Sequence, residues 1–385
     1  MTNREEVFKD LLSKLFKDNI PISGTVYAGT GVGKTRLAIS WLKEVLSKFE
    51  GKALYVVPTT TLRDHDIPEE FTKWGEKELM ERVEFICYRS VPKVCQNTYT
   101  AVVLDEAHNI TPLTYHSIRK INPRKTLCLT ATKPRDRQKC EMIESLAPPR
   151  VIYATQKGIE DRVVSPFEIH FLYTSLESVA KTAEVSYIDK KTRAKKTFIT
   201  TETERYKFLC QKVESAKQNM FSRRDKASQM YYRITLGERA RFLYNLESKT
   251  KVAKKLLEKL YPNRVIVFSK SIDQIEKICV NTYHSKKSNR KGVLDAFNNK
   301  EINILGCVDA LNEGKNLTDV DIAVIVSLDS NPKNIIQRIG RVIRFREGKL
   351  AKIYIVVSRN TRDEEWVQKA LFSYRNIPTF HHYHV

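Results

Sequence analysis

The sequence predicts an α/β protein with two parallel-sheet lobes in tandem. Short apolar, β-rich runs alternate with helical or polar stretches, which is typical of βαβ units and of a parallel sheet covered on both faces. The alternation starts again after residues 157–166. The chain has 385 residues, of which 41% are hydrophobic, so it is long enough for two or three domains and too apolar to be disordered. We therefore place lobe 1 at residues 1–164 and lobe 2 at residues 165–385.

The apolar pattern predicts the elements of both lobes. Apolar residues recur at helical spacing from Val7 to Phe16, and Pro21 follows as a stop, so an amphipathic helix is expected first. Strands of lobe 1 are then predicted at residues 25–28, 53–57, 83–87, 101–104, 126–130 and 151–153. Strands of lobe 2 are predicted at residues 168–173, 265–268, 303–307, 322–328 and 352–357. Each lobe thus has enough strands for a sheet of its own.

A basic extension is predicted in lobe 2 at about residues 177–235, where the alternation is lost. Residues 181–259 carry 21 Lys and Arg against 9 Asp and Glu, a net charge of +12. Residues 184–188 and 197–201 are predicted to pair as a hairpin across the charged turn at residues 189–196. This hairpin would project basic side chains from the lobe.

The next predicted element is one long helix. Thr235 and Glu238 form a capping-box pattern, which marks a helix start. Leucine and valine side chains then follow on one face, and Pro262 ends the run. The sequence therefore predicts a helix that starts at Thr235 and stops before Pro262.

The composition restricts the partner and the compartment. The formal charge of +22 favours nucleic acid as a partner, with an acidic membrane surface or solubility alone as alternatives. Seven cysteines without a CxxC pair favour reduced thiols over a disulfide framework or a zinc knuckle. We find no signal-peptide pattern and no run of about 18 apolar residues, so we expect a cytoplasmic, soluble protein without a membrane partner.

A glycine-rich loop at residues 28–35 (AGTGVGKT) stands between an apolar run and a helical stretch. This order predicts a phosphate cradle, because glycines let backbone N–H groups converge on phosphate oxygens and the helix N-terminus adds favourable potential. Lys34 is expected to reach the β- and γ-phosphates of ATP, and Thr35 to bind Mg²⁺. The predicted nucleotide-binding residues of this loop are Gly29, Thr30, Gly31, Val32, Gly33, Lys34 and Thr35.

Two carboxylates follow the apolar run at residues 102–104, in the sequence DEAH. At the carboxyl end of a parallel strand they lie where open α/β sheets bind ligands. Asp105 is expected to hold Mg²⁺, and Glu106 to orient and deprotonate the attacking water. An ordinary helix start is the alternative, and the upstream glycine loop argues against it.

Residues 337–344 (QRIGRVIR) carry arginines in lobe 2. Arg341 and Arg344 are three residues apart, so a helix would put both on one face, within reach of a single anion. Arginine can stabilise the charge that develops during phosphoryl transfer. A solvated basic helix face is the alternative.

Taken together, these patterns resemble superfamily 2 helicases of the DEAH/DExH kind over nearly the whole chain. The loop form AxxGxGKT is the one that helicases use, and matches to motifs Ia, III, IV and V occur at residues 57–62, 129–132, 265–271 and 309–316. The resemblance implies two RecA-like lobes that bind ATP and Mg²⁺ between them and hydrolyse ATP. It also implies catalytic roles for Gln337, Arg341 and Arg344, and nucleotide binding by Gly314 and Asn316. His108, Thr130 and Thr132 would couple the nucleotide state to lobe closure.

The inter-lobe region resembles the UvsW, XPB and type III restriction group, with small phage branch-migration helicases nearest in pattern. This resemblance implies unwinding or branch migration of branched or forked DNA with 3′→5′ polarity. We expect a monomer or weak oligomer in bacterial or phage-infected cytoplasm. Replication and recombination proteins are the expected partners, and DNA replication, repair and recombination are the expected processes. An RNA helicase or remodeller, an ATP-gated clamp and a motor subunit without unwinding remain open alternatives.

The family grips backbone phosphate at positions that this chain fills with polar or basic residues, which suits sequence-independent binding. They are Thr59, Thr60, Arg63, Arg89, Ser90, Lys270 and Ser271. The predicted hairpin adds Lys190, Lys191, Arg193, Lys195 and Lys196, as a wedge, a duplex grip, a localisation-type run or a solvated turn. Three histidines at positions 381, 382 and 384 are interpreted as a frayed, inert terminal cluster without a partner carboxylate.

Overall fold

A computed structural model describes most of the chain, which folds as two compact units. The described residues are 3–29, 31–131, 133–134, 136–188, 194–308, 317, 319–329, 335, 338–340, 342–371 and 380–385. Unit 1 takes the described parts of Met1–Pro166 and Ile343–Lys349. Unit 2 takes those of Phe167–Leu311, Leu317–Val342 and Leu350–Val385.

Unit 1 is built on a six-stranded sheet whose strand pairs are all parallel. Its strands are β3 (Gly24–Ala28), β4 (Ala53–Val57), β5 (Val83–Cys87), β6 (Ala101–Leu104), β7 (Lys125–Thr130) and β8 (Pro149–Tyr153). They lie in the order β5-β4-β6-β7-β3-β8. Every residue of β3, β4 and β6 is buried, as expected where helices cover both faces of a parallel sheet.

The helices of unit 1 are α1 (Asn3–Ser13), α2 (Lys34–Lys48), α3 (Ile67–Lys73), α4 (Pro112–Ile121), α5 (Arg137–Leu146) and α6 (Thr155–Glu160). The longest of them, α2, buries seven apolar side chains. The prediction that the first helix reaches Phe16 is wrong. Asp18 and Asn19 both take left-handed φ values, of 50° and 59°, and form a tight turn between β1 (Phe16–Lys17) and β2 (Ile20–Pro21).

Unit 2 is built on a seven-stranded sheet whose strand pairs are also all parallel. Its strands are β9 (Phe167–Thr174), β12 (Val265–Ser269), β13 (Thr282–Tyr283), β14 (Ile304–Val308), β15 (Ile322–Ile325), β16 (Ala351–Ser358) and β17 (Phe380–His384). They lie in the order β13-β14-β12-β15-β16-β9-β17. The predicted fold class, α/β with two parallel-sheet lobes, is therefore confirmed.

Helices α7 (Glu202–Arg223), α8 (Lys226–Tyr244), α9 (Glu247–Leu260), α10 (Ile272–Ile278), α11 (Arg290–Asn298) and α12 (Arg362–Leu371) belong to unit 2. The prediction of one helix that starts at Thr235 is wrong. Thr235 is buried inside α8, and the chain leaves the helix at Asn245 before α9 begins. The capping box is at Thr201, which accepts a hydrogen bond from the Glu204 backbone N–H and donates its own N–H to the Glu204 carboxylate.

The predicted hairpin is present as the antiparallel pair β10 (Ala183–Ile188) and β11 (Lys195–Thr200). Its turn at residues 189–193 lies outside the described residues. The interpretation of the terminal histidines as frayed is wrong, because they form β17 beside β9. Among the helices described, none combines the length and the apolar character that a membrane crossing needs.

Candidate active site

The glycine loop joins β3 to α2 and needs glycine for its backbone conformation. Gly31 and Gly33 have φ values of 87° and 96°, a region that L side chains rarely adopt. A Cβ at Gly33 would meet nothing within 4 Å, so conformation and not space requires glycine there. Gly29 is different, because its N–H donates to the Tyr153 carbonyl at 3.1 Å and a Cβ would lie 2.6 Å from Thr155 Oγ1.

The residues predicted to bind phosphate lie in this loop and in the first turn of α2. The Lys34 ammonium donates to the carbonyls of Ala28 and Gly29 at 3.1 and 3.3 Å, so it lies folded over the loop. Thr35 is in the first turn of α2, while the Val32 side chain is buried and leaves only its backbone for a ligand. Thr30 lies outside the described residues.

Both candidate carboxylates follow β6 directly. Asp105 is buried, and its Oδ1 accepts the Glu106 backbone N–H at 2.9 Å. Burial, with the negative charge of Glu106 second, raises the pKa of Asp105 to about 7, and the nearby Lys34 ammonium opposes the shift. Glu106 itself has a left-handed φ of 49°, which is uncommon for a residue with a side chain and marks functional turns.

The ends of β6 and β7 are linked through His108. Its Nδ1 lies 3.1 Å from Thr130 Oγ1 and 3.3 Å from a carboxylate oxygen of Glu106. The His108 and Thr130 side chains are both buried. Two of the three predicted coupling residues are therefore in contact with each other, and Thr132 lies outside the described residues.

Two tyrosines around Asp105 were missed by sequence reasoning. The Tyr88 hydroxyl donates to the Asp105 backbone carbonyl at 2.8 Å. Tyr55 on β4 is fully buried, and burial, followed by the Asp105 charge, raises the pKa of its hydroxyl far above the ordinary value. Their role depends on the neighbouring positions of β5, β4 and β6, which the local sequence does not reveal.

The strand order separates two groups of candidate residues along the carboxyl edge of the unit 1 sheet. The loop follows β3, the two carboxylates follow β6, and Thr130 is the last residue of β7. Candidate phosphate-backbone residues follow β4 and β5 at the other end, namely Thr59, Thr60, Arg63, Arg89 and Ser90. Arg63 is ion-paired with Asp64 at 2.6 Å.

The candidate nucleic-acid residues of unit 2 have structural partners. The Lys270 ammonium lies 3.2 Å from the Asp329 carboxylate. Ser271 caps α10 by accepting the Gln274 backbone N–H at 3.3 Å. Lys196 is exposed on β11, where the Lys195 side chain is not described. Outside the described residues lie Lys190, Lys191 and Arg193.

The prediction that Arg341 and Arg344 share a helical face is wrong for Arg344. Helical conformation ends at Val342, and Arg344 forms an isolated antiparallel bridge with Val164 in unit 1. The Ser165 N–H donates to the Ile343 carbonyl at 2.9 Å, so pairing with this segment draws the chain out of the helix. Burial lowers the pKa of Arg344. Arg341, Gln337, Gly314 and Asn316 lie outside the described residues.

Two family models match the chain. Residues 3–135 match the res subunit of type III restriction enzymes, and residues 248–346 match the helicase conserved C-terminal domain. The DNA 3′-5′ translocase XPB2 of Sulfurisphaera tokodaii is 23% identical over 360 residues, which cover 88% of this chain and 79% of the relative. Together these matches support a superfamily 2 helicase.

Two solved structures share the fold of this chain. The helicase domain of Pyrococcus furiosus Hef is 16% identical with a TM-score of 0.55, and the match covers 95% of this chain and 97% of that domain. The DNA-bound type ISP restriction-modification enzyme LlaBIII is 13% identical with a TM-score of 0.62, and the match covers 100% of this chain and 31% of that enzyme. At these identities the likeness concerns the fold alone.

Proposed function

We propose that this chain is a helicase that hydrolyses ATP at the unit 1 site and uses it to unwind or branch-migrate branched or forked DNA, with 3′→5′ polarity. The observation that carries the proposal is the meeting of the glycine loop, Asp105 and Glu106 at one edge of the sheet. The name of the archaeal relative, a DNA 3′-5′ translocase, supports the choice of DNA and of polarity. We also propose that the protein acts in phage or bacterial DNA replication, repair or recombination.

The residues of the site fit a bound Mg²⁺. This ion prefers oxygen ligands, and the Thr35 hydroxyl and Asp105 carboxylate would hold it, through water where needed. Burial, followed by the negative charge of Glu106, raises the pKa of the Asp105 carboxyl, and a bound cation would stabilise its charged form. When bound, the ion would neutralise charge on the ATP phosphates.

The residues of this chain then account for hydrolysis. Lys34 and the loop N–H groups bind the β- and γ-phosphates of ATP. Glu106 accepts a proton from the attacking water while the oxygen of that water forms a bond to the γ-phosphorus. The bond from the γ-phosphorus to the oxygen that bridges it to the β-phosphate breaks at the same time. ADP and phosphate are the products. Because His108 contacts both Glu106 and Thr130, it is placed to sense this change.

Steady-state ATP hydrolysis by the purified chain tests the proposal. It is measured without nucleic acid and with single-stranded DNA, forked DNA, a four-way DNA junction and duplex RNA. We expect branched DNA to stimulate turnover, and Glu106→Gln, which keeps the size of the side chain, to abolish it. Lys34→Ala and Arg341→Ala are expected to abolish stimulated turnover too.

The outcomes separate the alternatives. Stimulation by RNA alone would replace DNA by RNA, and unchanged turnover in all three variants would refute the assignment. Strand displacement on substrates with a 3′ or a 5′ single-stranded tail tests polarity. We expect displacement only from the 3′ tail, and stimulated hydrolysis without any displacement would favour a clamp or a motor subunit.

A further inference from the structure

The edge of the unit 2 sheet brings two histidines and a glutamate together. The parallel register of β17 on β9 sets His381 beside His170, and their rings stack with centroids 4.5 Å apart. His170 also stacks on Tyr354 of β16, with centroids 4.7 Å apart. Glu168 is two residues before His170 on β9, so it lies on the same face.

Three ligand atoms converge within this group. Nε2 of His170 lies 3.1 Å from Oε2 of Glu168, and Nε2 of His381 lies 4.0 Å from the same oxygen. The three atoms are all within 4.8 Å of one another. Nε2 of His381 is buried and has no hydrogen-bond partner in the part of the chain that the structure describes. A buried polar atom in this state is costly and calls for a further partner.

We propose that Glu168, His170 and His381 form a transition-metal site that takes zinc. Two imidazoles and one carboxylate are a donor set that Zn²⁺ accepts, with water in the fourth position. Ligand atoms at about 2 Å from one ion lie about 3 to 4 Å apart, which matches the two separations from the Glu168 oxygen. Because imidazole binds a metal in the plane of its ring, the stacked rings of His170 and His381 would turn on binding so that both Nε2 atoms face the ion. The Tyr383 hydroxyl lies 3.4 Å from His170 Nδ1. A hydrogen bond from the Nδ1–H to this hydroxyl would keep the proton on Nδ1 and leave Nε2 to bind the metal.

The metal would join β17 to the rest of the sheet. β17 is an edge strand of five residues, and its partner β9 is distant in sequence. The metal ligands come together only when β9 and β17 are paired, so zinc would bind only the folded sheet. Such binding stabilises the paired state of β17. His382 stacks on Phe171 and Tyr173, which puts it on the other face and makes it a matched control.

Calorimetric titration with ZnCl₂ tests the site on the untagged full chain, stripped with a chelator and free of nucleotide. We expect one equivalent of Zn²⁺ to bind. His381→Ala and Glu168→Gln should each weaken binding by at least about tenfold, the scale seen when metal sites lose a supporting group. His382→Ala removes a histidine of the same strand and should bind like the wild type.

Hydrogen exchange of the residue 380–384 amides gives a second measurement. Zinc should slow exchange in the wild type and in His382→Ala, and leave it unchanged in His381→Ala. If His381→Ala does not fold, as judged by circular dichroism, Glu168→Gln carries the comparison, because that carboxylate is partly exposed. No zinc binding to the wild type, or equal binding in all variants, would overturn the proposal.

Discussion

Gly29 tests how closely the phosphate loop must pack on its surroundings. Its φ is not positive, so alanine fits the backbone, yet the added Cβ would lie 2.6 Å from Thr155 Oγ1. Contacts that short force a displacement. We expect Gly29→Ala to weaken ATP binding by about tenfold, or about 1.4 kcal/mol, as measured by fluorescent-nucleotide titration.

A double variant isolates the cause. Removing the hydroxyl leaves Thr155 Cβ at 3.5 Å, an ordinary contact, so Gly29→Ala/Thr155→Ala should bind ATP almost like the wild type. Thr155→Ala alone should be neutral, because the N-cap residue of α6 is Ala154 and not Thr155. Failure of the double variant to recover would mean that the loop needs glycine for another reason.

At single positions, the sequence predicts what depends on local spacing. The glycine loop and the two carboxylates are local patterns that follow strands, and the structure puts them at one sheet edge. The left-handed Glu106 and the Tyr88 hydrogen bond to Asp105 depend on strand neighbours, which spacing does not encode. The prediction of a helical conformation at Arg344 is wrong for the same reason, because Arg344 pairs with Val164, which is distant in sequence.

Among the helices, the cap at Thr201 determines where α7 starts. Thr201 and Glu204 make both hydrogen bonds of the capping box. Thr201→Ala should lower the free energy of unfolding by about 1 kcal/mol, whereas Thr201→Ser keeps the hydroxyl and should cost about half of that or less. Urea unfolding of the two variants checks this. Equal losses would show that the methyl group, and not the cap, stabilises the site.

The same pattern, a threonine three residues before a glutamate, occurs at Thr235, where it caps nothing. Thr235 is buried within α8 and its hydroxyl donates to the Tyr232 carbonyl at 2.8 Å. A capping box therefore predicts a helix start only where the chain before it is not already helical. The long stretch before Thr235 lacks a clear apolar periodicity, so α7 and the first part of α8 could not be predicted from the sequence.

α9 and α12 are joined by a buried ion pair. Lys249 and Asp363 are both fully buried and in direct contact, and the Ser358 N–H also donates to Asp363 at 3.1 Å. Burial raises the pKa of Asp363, which shows the cost of its charge there. Lys249→Met leaves that charge unpaired and should destabilise the fold by about 3 to 5 kcal/mol.

The double variant Lys249→Met/Asp363→Leu should lose less than Lys249→Met alone, because it leaves no buried charge. Chemical unfolding of the wild type, both single variants and the double variant forms the cycle. A double variant as unstable as the sum of the singles would show that the two side chains act independently. The Ser358 N–H loses its acceptor in Asp363→Leu, so full recovery is not expected.

At the scale of the whole molecule, local runs predict strands better than they predict sheets. All eleven strands predicted for the two sheets are present, since buried parallel strands read as continuous apolar runs. β13 has only two residues, and β17 is rich in histidine, so neither carries that signal. β17 and β9 are far apart in the sequence but adjacent in the sheet. Only the structure therefore reveals that Glu168 lies beside His381.

The charge of the whole molecule predicts how DNA binding responds to salt. With a net charge of +22, binding through several phosphates should lose on the order of a thousandfold in affinity between about 50 and 200 mM salt. A triple variant that neutralises Lys190, Lys191 and Lys196 should have a weaker salt dependence. The slope of the logarithm of the binding constant against the logarithm of the salt concentration should fall by about 0.9 for each phosphate that the variant no longer binds. Fluorescence anisotropy with a labelled fork measures both.

A matched triple variant separates position from net charge. Lys286, Lys287 and Lys291 lie outside the hairpin, and their removal changes the net charge by the same amount. Phosphate binding by the hairpin predicts a smaller slope only for the first triple variant, since distant exposed charges are screened within about 10 Å at 0.1 M salt. Equal slopes in the two variants would make the hairpin a solvated turn. A wild-type affinity that is flat with salt would mean that the charge keeps the protein in solution and does not grip a phosphate backbone.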